Sequence, residues 1–419
     1  MKRVFILSLL SFRMIFTFAQ DTISVMTYNV LNYGNFTSYC TIQNNDPIEK
    51  EGYLRTIIEY ASPDVFNVNE LSGSSQVYAQ RMLDTVLNRV FPGRYAKGTY
   101  FNTTSSSLVN MLYYDVTKFG MKSQWSLNDG IRDICFFKLY YRSPETVQGD
   151  TAFITFISMH LKAGSTTSDE SDRAAETLAL MNHIYNNNLT GNNVVMGDFN
   201  VYTSNEACFQ NLVNYSASSV RFYDPINKLG NWNNSSSYAA YHTQSASSVS
   251  NDCTASGGLD DRFDFLLINE NIKYNTEKVS YVSGTYKAIG QDGNHFNLSV
   301  SDNINNSAPS NVITALQNAS DHLPVIMKLK INQSPASVYN SHSFQERKPA
   351  SLGNNSWLLP NDNNNRINVH VFDVTGRLVC SINPDKNYPV ISLSDLTPGL
   401  YIVHYGTINN MNSFKVVTE

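Results

Sequence analysis

Polar and ionisable residues follow several short apolar runs in the first three quarters of the chain. In chain order they are Asn29, Glu70, His160, Asp198, Asn200, Asp264, Asp321 and His322. Polar residues at the strand ends of an α/β sheet can converge on one edge, where ligands usually bind. The set is rich in oxygen and contains no thiol, which suits a hard cation such as Mg²⁺. Its two histidines could donate to a phosphate or act as general acid or base. The set therefore predicts metal-assisted attack of water on a phosphoester.

The apolar runs are rich in β-branched and aromatic residues and predict β-strands. They span residues 24–30, 65–71, 108–114, 151–161, 193–200, 262–269 and 322–331. Apolar residues at helical spacing occur over residues 78–90 and 178–185. Strands and helices mixed in this way predict a layered α/β domain over residues 20–331.

The sequence changes character after residue 331. Residues 332–352 lack periodicity and contain two prolines, as a linker does. Residues 353–419 return to alternating apolar runs that are separated by Gly and Pro turns. This pattern predicts a small C-terminal β-sandwich.

The N-terminus has the three parts of a secretory signal peptide. Lys2 and Arg3 precede an apolar run, and the short residues Thr17 and Ala19 stand before Gln20. We therefore expect residues 1–19 to be removed on export. The net charge is −5 from 30 basic and 35 acidic residues, and losing three basic residues with this segment leaves 27 minus 35, or −8. No later run approaches ~18 apolar residues, so we expect no transmembrane segment in the mature chain.

The five cysteines allow at most two disulfides within one chain. Cys135 lies inside the apolar run ICFFKLYY and is interpreted as a small core residue. Cys208 and Cys253 lie in loop-like sequence, and we expect them to pair. The cysteines and histidines are not closely spaced, which argues against a structural zinc site.

The ordered motifs of the first domain resemble the endonuclease/exonuclease/phosphatase superfamily, which includes DNase I-like nucleases. They are TYNVLNYG, VNEL, SMHLK, GDFN, DRFDFLLIN and SDHLPV. Each motif alone is common in other proteins, but the ordered set is specific for the fold and its metal chemistry. The resemblance implies a four-layer sandwich of two mixed β-sheets flanked by helices.

The same resemblance implies a metal site and assigns its residues. Glu70 would be the main Mg²⁺ ligand, with Asn29 beside it in the metal shell. Asp321 would reach the metal through water. Mn²⁺ and Ca²⁺ are the alternative cations.

Catalytic groups are implied as well. Asp198 would orient and deprotonate the attacking water, and Asn200 would hold the phosphate region. His322 would donate to the scissile phosphate, with Asp264 fixing its tautomer. His160 would be the second imidazole at the phosphate. This arrangement makes chemical sense because the transition state gains negative charge that a cation and an imidazolium stabilise.

Two basic residues near these motifs are candidates for substrate binding. Lys162 follows His160, and Arg173 lies in the segment SDESDRAAETL. Both could add phosphate contacts. Solvated charges on a loop and a helix account for them equally well.

The last domain resembles the C-terminal sorting domain of proteins exported by the bacterial type IX secretion system. The segments that carry the resemblance are VHVFDVTGRLV and ISLSDLTPGLYIV, together with a final strand that contains Lys415. It implies that the secretion machinery is a partner and that the chain is secreted or attached to the cell surface. An ordinary small β-sandwich that binds a ligand is the alternative.

Several functions fit this sequence. The first is a secreted Mg²⁺-dependent endonuclease that hydrolyses DNA, with RNA as an alternative substrate, although the charge of −8 offers nucleic acid no general attraction. The alternatives are a phospholipid phosphodiesterase of sphingomyelinase type, a phosphomonoesterase and an inactive surface binding module. The lipid enzyme would need an exposed apolar loop, for which the Tyr-rich sequence around Trp232 and Tyr238 is the candidate.

Overall fold

The computed structural model describes residues 20–143, 146, 149–333, 349–353, 355–359, 367–385, 389–407 and 410–418. The expected signal peptide lies outside the described residues, as does most of the expected linker. The chain divides into two compact units, Met1–Ser337 and Val338–Glu419. Each unit has its own sheets and its own core.

One mixed sheet of the first unit contains the first strand of the described chain. From edge to edge its strands are β11 (Val279–Tyr281), β13 (Val325–Ile331), β1 (Asp21–Tyr33), β2 (Val65–Ser72), β4 (Leu108–Asp115) and β3 (Tyr95–Lys97). A short strand, β12 (Lys287–Ala288), also pairs with β13. The central pair β1 and β2 is parallel, and both of its neighbours are antiparallel to it.

A second mixed sheet repeats this arrangement. Its strands are β5 (Phe119–Asn128), β6 (Asp133–Tyr141), β7 (Phe153–His160), β8 (Asn192–Asp198), β10 (Asp264–Asn269) and β9 (Phe222–Tyr223). The central pair β7 and β8 is parallel, and β6 and β10 flank it in the antiparallel direction. Each sheet therefore has one parallel pair whose carboxyl ends lie at the same edge.

Helices cover the outer faces of the two sheets. They are α1 (Pro47–Ala61), α2 (Val77–Arg81), α3 (Asn88–Val90), α4 (Thr167–Asn186), α5 (Ala207–Val213), α6 (Glu270–Tyr274) and α7 (Ser310–Ala319). A π-helical segment, Met82–Leu87, joins α2 to α3, and 3₁₀ turns occupy Ser218–Val220 and Ser236–Tyr241. The Asp46 side chain accepts the N–H of Ile48 at the start of α1, and Thr166 and Asp169 form a reciprocal capping box on α4.

The two sheets are each apolar on both faces, which explains the four layers. One core contains side chains from α1, α7 and the first sheet and continues between the sheets. A separate core lies between the second sheet and helices α4 and α5, where Leu180 and Phe209 pack against Phe265 and its neighbours. Strands buried on both faces need a layer on each side. The predicted four-layer arrangement is confirmed.

Trp232 belongs to this second core. It is fully buried and its ring packs against Phe209 and Phe265. The Tyr238 hydroxyl donates to the carbonyl of Leu229. The sequence around Trp232 is therefore not the exposed apolar loop that a lipid enzyme would need.

The disulfide prediction was wrong. Cys253 pairs with Cys40, and Cys208 is a buried free thiol in α5 that donates to Glu206. The sequence around Cys208 suggested a loop, but apolar packing of Phe209 and Leu212 makes it a helix facing the second core. Cys135 is buried, as predicted.

The C-terminal unit consists of two small antiparallel sheets. One contains β14 (Ala350–Gly353), β15 (Ser356–Leu358) and β18 (Val390–Ser392). The other contains β17 (Leu378–Ile382), β16 (Asn368–Asp373), β19 (Gly399–Thr407) and β20 (Asn410–Thr418). Residues of both sheets, such as Ile391 and Val403, share one core, which confirms the predicted β-sandwich. Strand β14 begins within the range expected to be linker.

Among the described residues, no helix combines the length and the apolarity that crossing a bilayer requires.

A count of free thiols tests the disulfide. The wild-type protein, unfolded without reductant, is expected to show three thiols, from Cys135, Cys208 and Cys380. Cys40→Ser should show four because it releases Cys253, and Cys208→Ser should show two. If Cys208 paired with Cys253 instead, Cys40→Ser would show two thiols and Cys208→Ser would show four. Loss of the real disulfide should also lower the free energy of unfolding by about 2–4 kcal/mol because it closes a long loop.

Candidate active site

The two parallel pairs bring the predicted residues to one edge of the molecule. His160, the last residue of β7, is the register partner of Asp198, the last residue of β8. Asp198 is also the partner of Asp264, the first residue of β10. Asn29 lies opposite Asn69 on β1 and β2, one residue before Glu70. Five strands from two sheets thus deliver five side chains to one cleft.

Gly197 allows strands β7 and β8 to approach where they meet the other sheet. A Cβ atom at this position would lie 1.9 Å from the Met159 carbonyl oxygen and 3.1 Å from Oδ1 of Asn69. Its φ of +136° also disfavours other residues. The glycine of the GDFN motif is therefore required by packing directly before Asp198.

Asn29 links the two carboxylates at the centre of the cleft. Its Nδ2 donates to Glu70 Oε1 and to Asp198 Oδ2, both at 2.9 Å. Its Oδ1 accepts the N–H of Leu31 at 3.0 Å. The Glu70 carboxylate has a second donor in the N–H of Asn32, 2.9 Å from Oε2.

Three residues beside these groups have left-handed backbone angles. They are Leu31 with φ of 46°, Asn32 with φ of 48° and Glu70 with φ of 65°. Such conformations cost on the order of 1–3 kcal/mol each for residues with a side chain. The surrounding contacts hold them because the turn places the N–H groups of Leu31 and Asn32 against the side chains of Asn29 and Glu70.

One ring nitrogen of His322 is paired with a carboxylate, and the other lies at the cleft beside the side-chain amide of Gln244, 2.8 Å away. Its Nδ1 donates to Asp264 Oδ2 at 2.7 Å, which leaves Nε2 as the nitrogen that faces the site. Nε2 lies 3.7 Å from Asp198 Oδ2. Burial disfavours the charged ring, but Asp264 and Asp198 prevail and raise the pKa of His322 well above its ordinary value. The two carboxylates therefore favour the protonated form of His322.

His160 has the opposite character. Its Nε2 lies 3.5 Å from Asp198 Oδ2 and 3.8 Å from Glu70 Oε1, and its Nδ1 is buried with no partner among the described residues. Burial, together with the positive charges of Arg132 and His322, lowers the pKa of His160 well below its ordinary value. The pKa values of the two histidines of the cleft are therefore shifted in opposite directions.

The remaining carboxylates of the cleft are also buried. Burial, with Asp264 and Glu70 nearby, raises the pKa of Asp198, although His322 and Asn29 oppose the shift. Asp321 Oδ2 accepts the N–H of Ala255 at 2.8 Å, while its Oδ1 has no partner among the described residues. Next to Asp198, Asn200 donates its backbone N–H to the Oδ1 atom and its side-chain amide to the Leu161 carbonyl.

The oxygen and nitrogen atoms that line the cleft could bind a divalent cation. Ligand atoms of Glu70, His160 and Asp198 all lie within 4.8 Å of one another. Asp321 adds a buried carboxylate oxygen that lacks a partner. The carboxylate oxygens of this set suit Mg²⁺ or Mn²⁺. His160 and Asp198, which were expected in catalytic roles, thus lie within reach of a cation held by Glu70.

The structure does not bring the two predicted substrate-binding residues into the cleft. Lys162 pairs with Asp169 at 2.7 Å, at the start of α4. Arg173 is fully buried, and its donors bind Glu206 and the carbonyls of Lys162 and Gly164. Arg173 therefore stabilises the loop after β7 by binding its carbonyls.

Two residues at the cleft were not found from the sequence. Arg132, in the turn between β5 and β6, donates to the carbonyls of His160 and Leu161 and has an Nε without a partner among the described residues. The side-chain amide of Gln244 lies 2.8 Å from His322 Nε2. Both lie in irregular segments distant in sequence from the motifs, where neither spacing nor periodicity indicates a site.

Comparison with solved structures finds similar chains at low sequence identity. An endonuclease/exonuclease/phosphatase family protein from Bacteroides thetaiotaomicron is 12% identical, with a TM-score of 0.46, and the match covers 75% of this chain and 99% of that protein. A protein of the same family from Bacteroides vulgatus is 14% identical, with a TM-score of 0.45 and coverage of 74% and 99%. The human Nocturnin catalytic domain with a bound sulfate anion is 14% identical, with a TM-score of 0.43 and coverage of 74% and 97%. No curated protein sequence matches this chain.

The C-terminal unit has a match of its own. Residues 357–419 match the family model for the secretion system C-terminal sorting domain. This match confirms the predicted sorting domain. It indicates export by type IX secretion to the cell surface or the extracellular space.

Glu176 on α4 provides a test of how the edge of the cleft is held. Its Oε2 accepts the N–H of Lys162, its Oε1 has no partner among the described residues, and burial raises its pKa from 4.5 to about 8. Because its pKa is raised in the folded protein, Glu176 contributes stability that is fully present below pH 4.5 and is lost as the pH rises through about 8. Glu176→Gln keeps the acceptor and should be more stable than wild type at pH 9 but equal to it at pH 4.

Urea unfolding at the two pH values measures this effect. The gain at pH 9 should not exceed a few kcal/mol, because one pKa unit corresponds to about 1.4 kcal/mol. Glu170→Gln, on the exposed side of the same helix, is the matched control and should show no such pH dependence. Equal stability of wild type and Glu176→Gln at pH 9 would contradict this account of the carboxylate.

Proposed function

We propose that this chain is an exported, metal-dependent phosphodiester hydrolase whose substrate is DNA. The observation that carries the proposal is the cleft at the strand ends. There the imidazole of His322, which is bonded to Asp264, lies beside the ligand atoms of Glu70, His160 and Asp198, and these atoms suit a divalent cation. Few other reactions need a hard-cation site and a cationic acid side by side in one buried cleft.

Glu70 would hold the cation, with Asn29 and Asp321 in its surroundings. Glu70 and Asp321 both have an oxygen directed into the cleft, and the second oxygen of each is fixed by a backbone N–H. When bound, the cation, which we expect to be Mg²⁺, supplies positive charge that stabilises the negative charge gained by the phosphate.

The other side chains of the cleft would each have a separate catalytic role. Asp198 would orient the attacking water and accept its proton. A raised pKa suits this role, because the carboxylate can then hold the proton near neutral pH. His322 donates from Nε2 to the phosphate, and Asp264 keeps the proton on Nδ1. His160, held neutral by burial, contributes a hydrogen bond rather than a charge. Asn200 would hold a phosphate oxygen.

DNA is proposed as the substrate on two grounds. The motifs YNVLNYG, NEL and HLKAG resemble those of extracellular nucleases. Arg132, which is half-buried and bonded to the carbonyls of His160 and Leu161, is a positive charge at the edge of the cleft. Local charge of this kind can attract nucleic acid to a protein whose net charge is negative.

A plasmid assay tests the proposal. Purified protein with supercoiled plasmid and Mg²⁺ is expected to nick the DNA, and EDTA should abolish nicking. Asp198→Ala and His322→Ala should each reduce the rate by about 100-fold or more, the size typical of losing a positioned acid, base or charge donor. His370→Ala, in the C-terminal unit, is the control and should leave the rate unchanged.

The outcomes separate the candidate functions. An intact plasmid would overturn the nuclease proposal. Hydrolysis of sphingomyelin in its place, with the same dependence on Asp198, would assign the cleft to phospholipid. No hydrolysis of any phosphoester, with equal ligand binding by wild type and Asp198→Ala, would identify an inactive binding module.

Asp264→Asn tests the histidine pair separately. The amide cannot hold His322 as an imidazolium, so we expect the rate to fall by at least about 100-fold. The metal requirement should not change because Asp264 bonds to His322 and not to the donors of the cation. Measuring kcat and KM at several Mg²⁺ concentrations checks both statements. An unchanged kcat would exclude His322 as the acid.

One observation favours the phospholipid alternative. The loop after β1 exposes Phe36, Tyr39 and Ile42, with exposed fractions of 47%, 56% and 49%. The Cys40–Cys253 disulfide joins it to the loop that carries Val249, which is 73% exposed. Exposed apolar side chains beside a hydrolytic cleft are what an enzyme needs to work at a lipid surface.

A further inference from the structure

Lys50 on α1 is a buried lysine next to the cleft. Only 4% of it is exposed, and among the described residues it makes no salt bridge. Its Nζ instead donates to two backbone carbonyls, those of Val30 at 2.8 Å and Leu31 at 2.6 Å. Burial lowers its pKa to about 7, although the charges of Asp321 and Glu70 oppose the shift. Burying this group is costly, so it needs a compensating role.

Asn45 supports the same turn. Its Nδ2 donates to the carbonyls of Leu31 and Asn32 at 3.3 and 3.2 Å. Lys50 and Asn45 together thus bind three successive carbonyls near the end of β1, where its register with β2 is interrupted. Those carbonyls belong to the turn in which Leu31 and Asn32 adopt left-handed angles.

The opposite side of this turn faces the cleft. Because the carbonyls are held by Lys50 and Asn45, the N–H of Leu31 is directed at Asn29 Oδ1 and the N–H of Asn32 at Glu70 Oε2. A continuous chain of hydrogen bonds therefore connects the ammonium of Lys50 to the proposed metal ligand. Without the lysine, the left-handed turn has one charged donor fewer to offset its strain.

We propose that Lys50 is a positioning residue that fixes the orientation of Glu70 and Asn29 through the turn at Val30–Asn32. The inference rests on the proposed function, because it assumes that Glu70 binds a cation. Lys50 itself contacts neither substrate nor metal in this role.

The sign of the change in metal affinity distinguishes this role from simple electrostatics. Lys50 is a positive charge near Glu70 and Asp321, so removing it should strengthen cation binding if charge alone matters. If Lys50 instead positions Glu70, its removal should weaken binding. Loss of a group that orients a ligand typically lowers metal affinity by about 10–100-fold.

The experiment measures Mn²⁺ binding to the full chain by electron paramagnetic resonance. Lys50→Met should bind Mn²⁺ about ten-fold or more weakly than wild type. Lys50→Arg, which keeps a cationic donor, should recover part of the affinity. Leu54→Ala is the matched control, because Leu54 is a fully buried residue of the same helix that belongs to the core. It should lower the thermal midpoint and leave the Mn²⁺ affinity unchanged.

Hydrogen exchange provides a readout that does not need the metal. The amides of Leu31 and Asn32 should exchange faster in Lys50→Met than in wild type, and Leu54→Ala should not show this local change. Equal or tighter Mn²⁺ binding by Lys50→Met, with unchanged exchange at these amides, would overturn the inference while the proposed function stands. A wild-type protein that binds neither Mn²⁺ nor Mg²⁺ would overturn the proposed function itself.

Discussion

Concentrating four carboxylates in one buried cleft is the constraint on which this structure depends. Glu70, Asp198, Asp264 and Asp321 repel one another and lose hydration, so each requires a partner. The partners differ in kind: Asn29 donates to two of the carboxylates, His322 pairs with Asp264, and backbone N–H groups hold Glu70 and Asp321. The left-handed turn at Leu31 and Asn32, near the end of β1, follows from this requirement, because it places N–H groups beside the side chains of Asn29 and Glu70.

This environment separates the two histidines, which the sequence presents as equivalent. A carboxylate 2.7 Å from Nδ1 favours the protonated form of His322, whereas His160 lacks such a partner, and burial beside Arg132 and His322 lowers its pKa. One ring can therefore donate a charge-assisted hydrogen bond and the other a neutral one. A cleft that contains both can stabilise a developing negative charge without adding a second cation.

Much of the first unit could be predicted from the sequence, and the misses have physical causes. Strands β1, β2, β4, β7, β8, β10 and β13 appear where the apolar runs predict them, with ends shifted by up to three residues. The edge strand β5 was missed because its polar, half-exposed residues give no continuous apolar run. Helix α1 was missed because its apolar face is narrow, with Leu54, Ile57 and Ile58 buried among charged neighbours. Arg173 was misplaced because a charge in sequence does not reveal that Glu206 buries it.

The sequence by itself determined the types of the cleft residues, their order at strand ends and the class of each unit, because apolar periodicity and motifs are local properties. Only the tertiary structure decided which cysteine meets Cys253, which histidine carries the charge, and that Lys50 binds the carbonyls behind Glu70. These outcomes depend on contacts between residues far apart in the chain and on burial. Both arise only once the two sheets have packed together, so no spacing along the sequence encodes them.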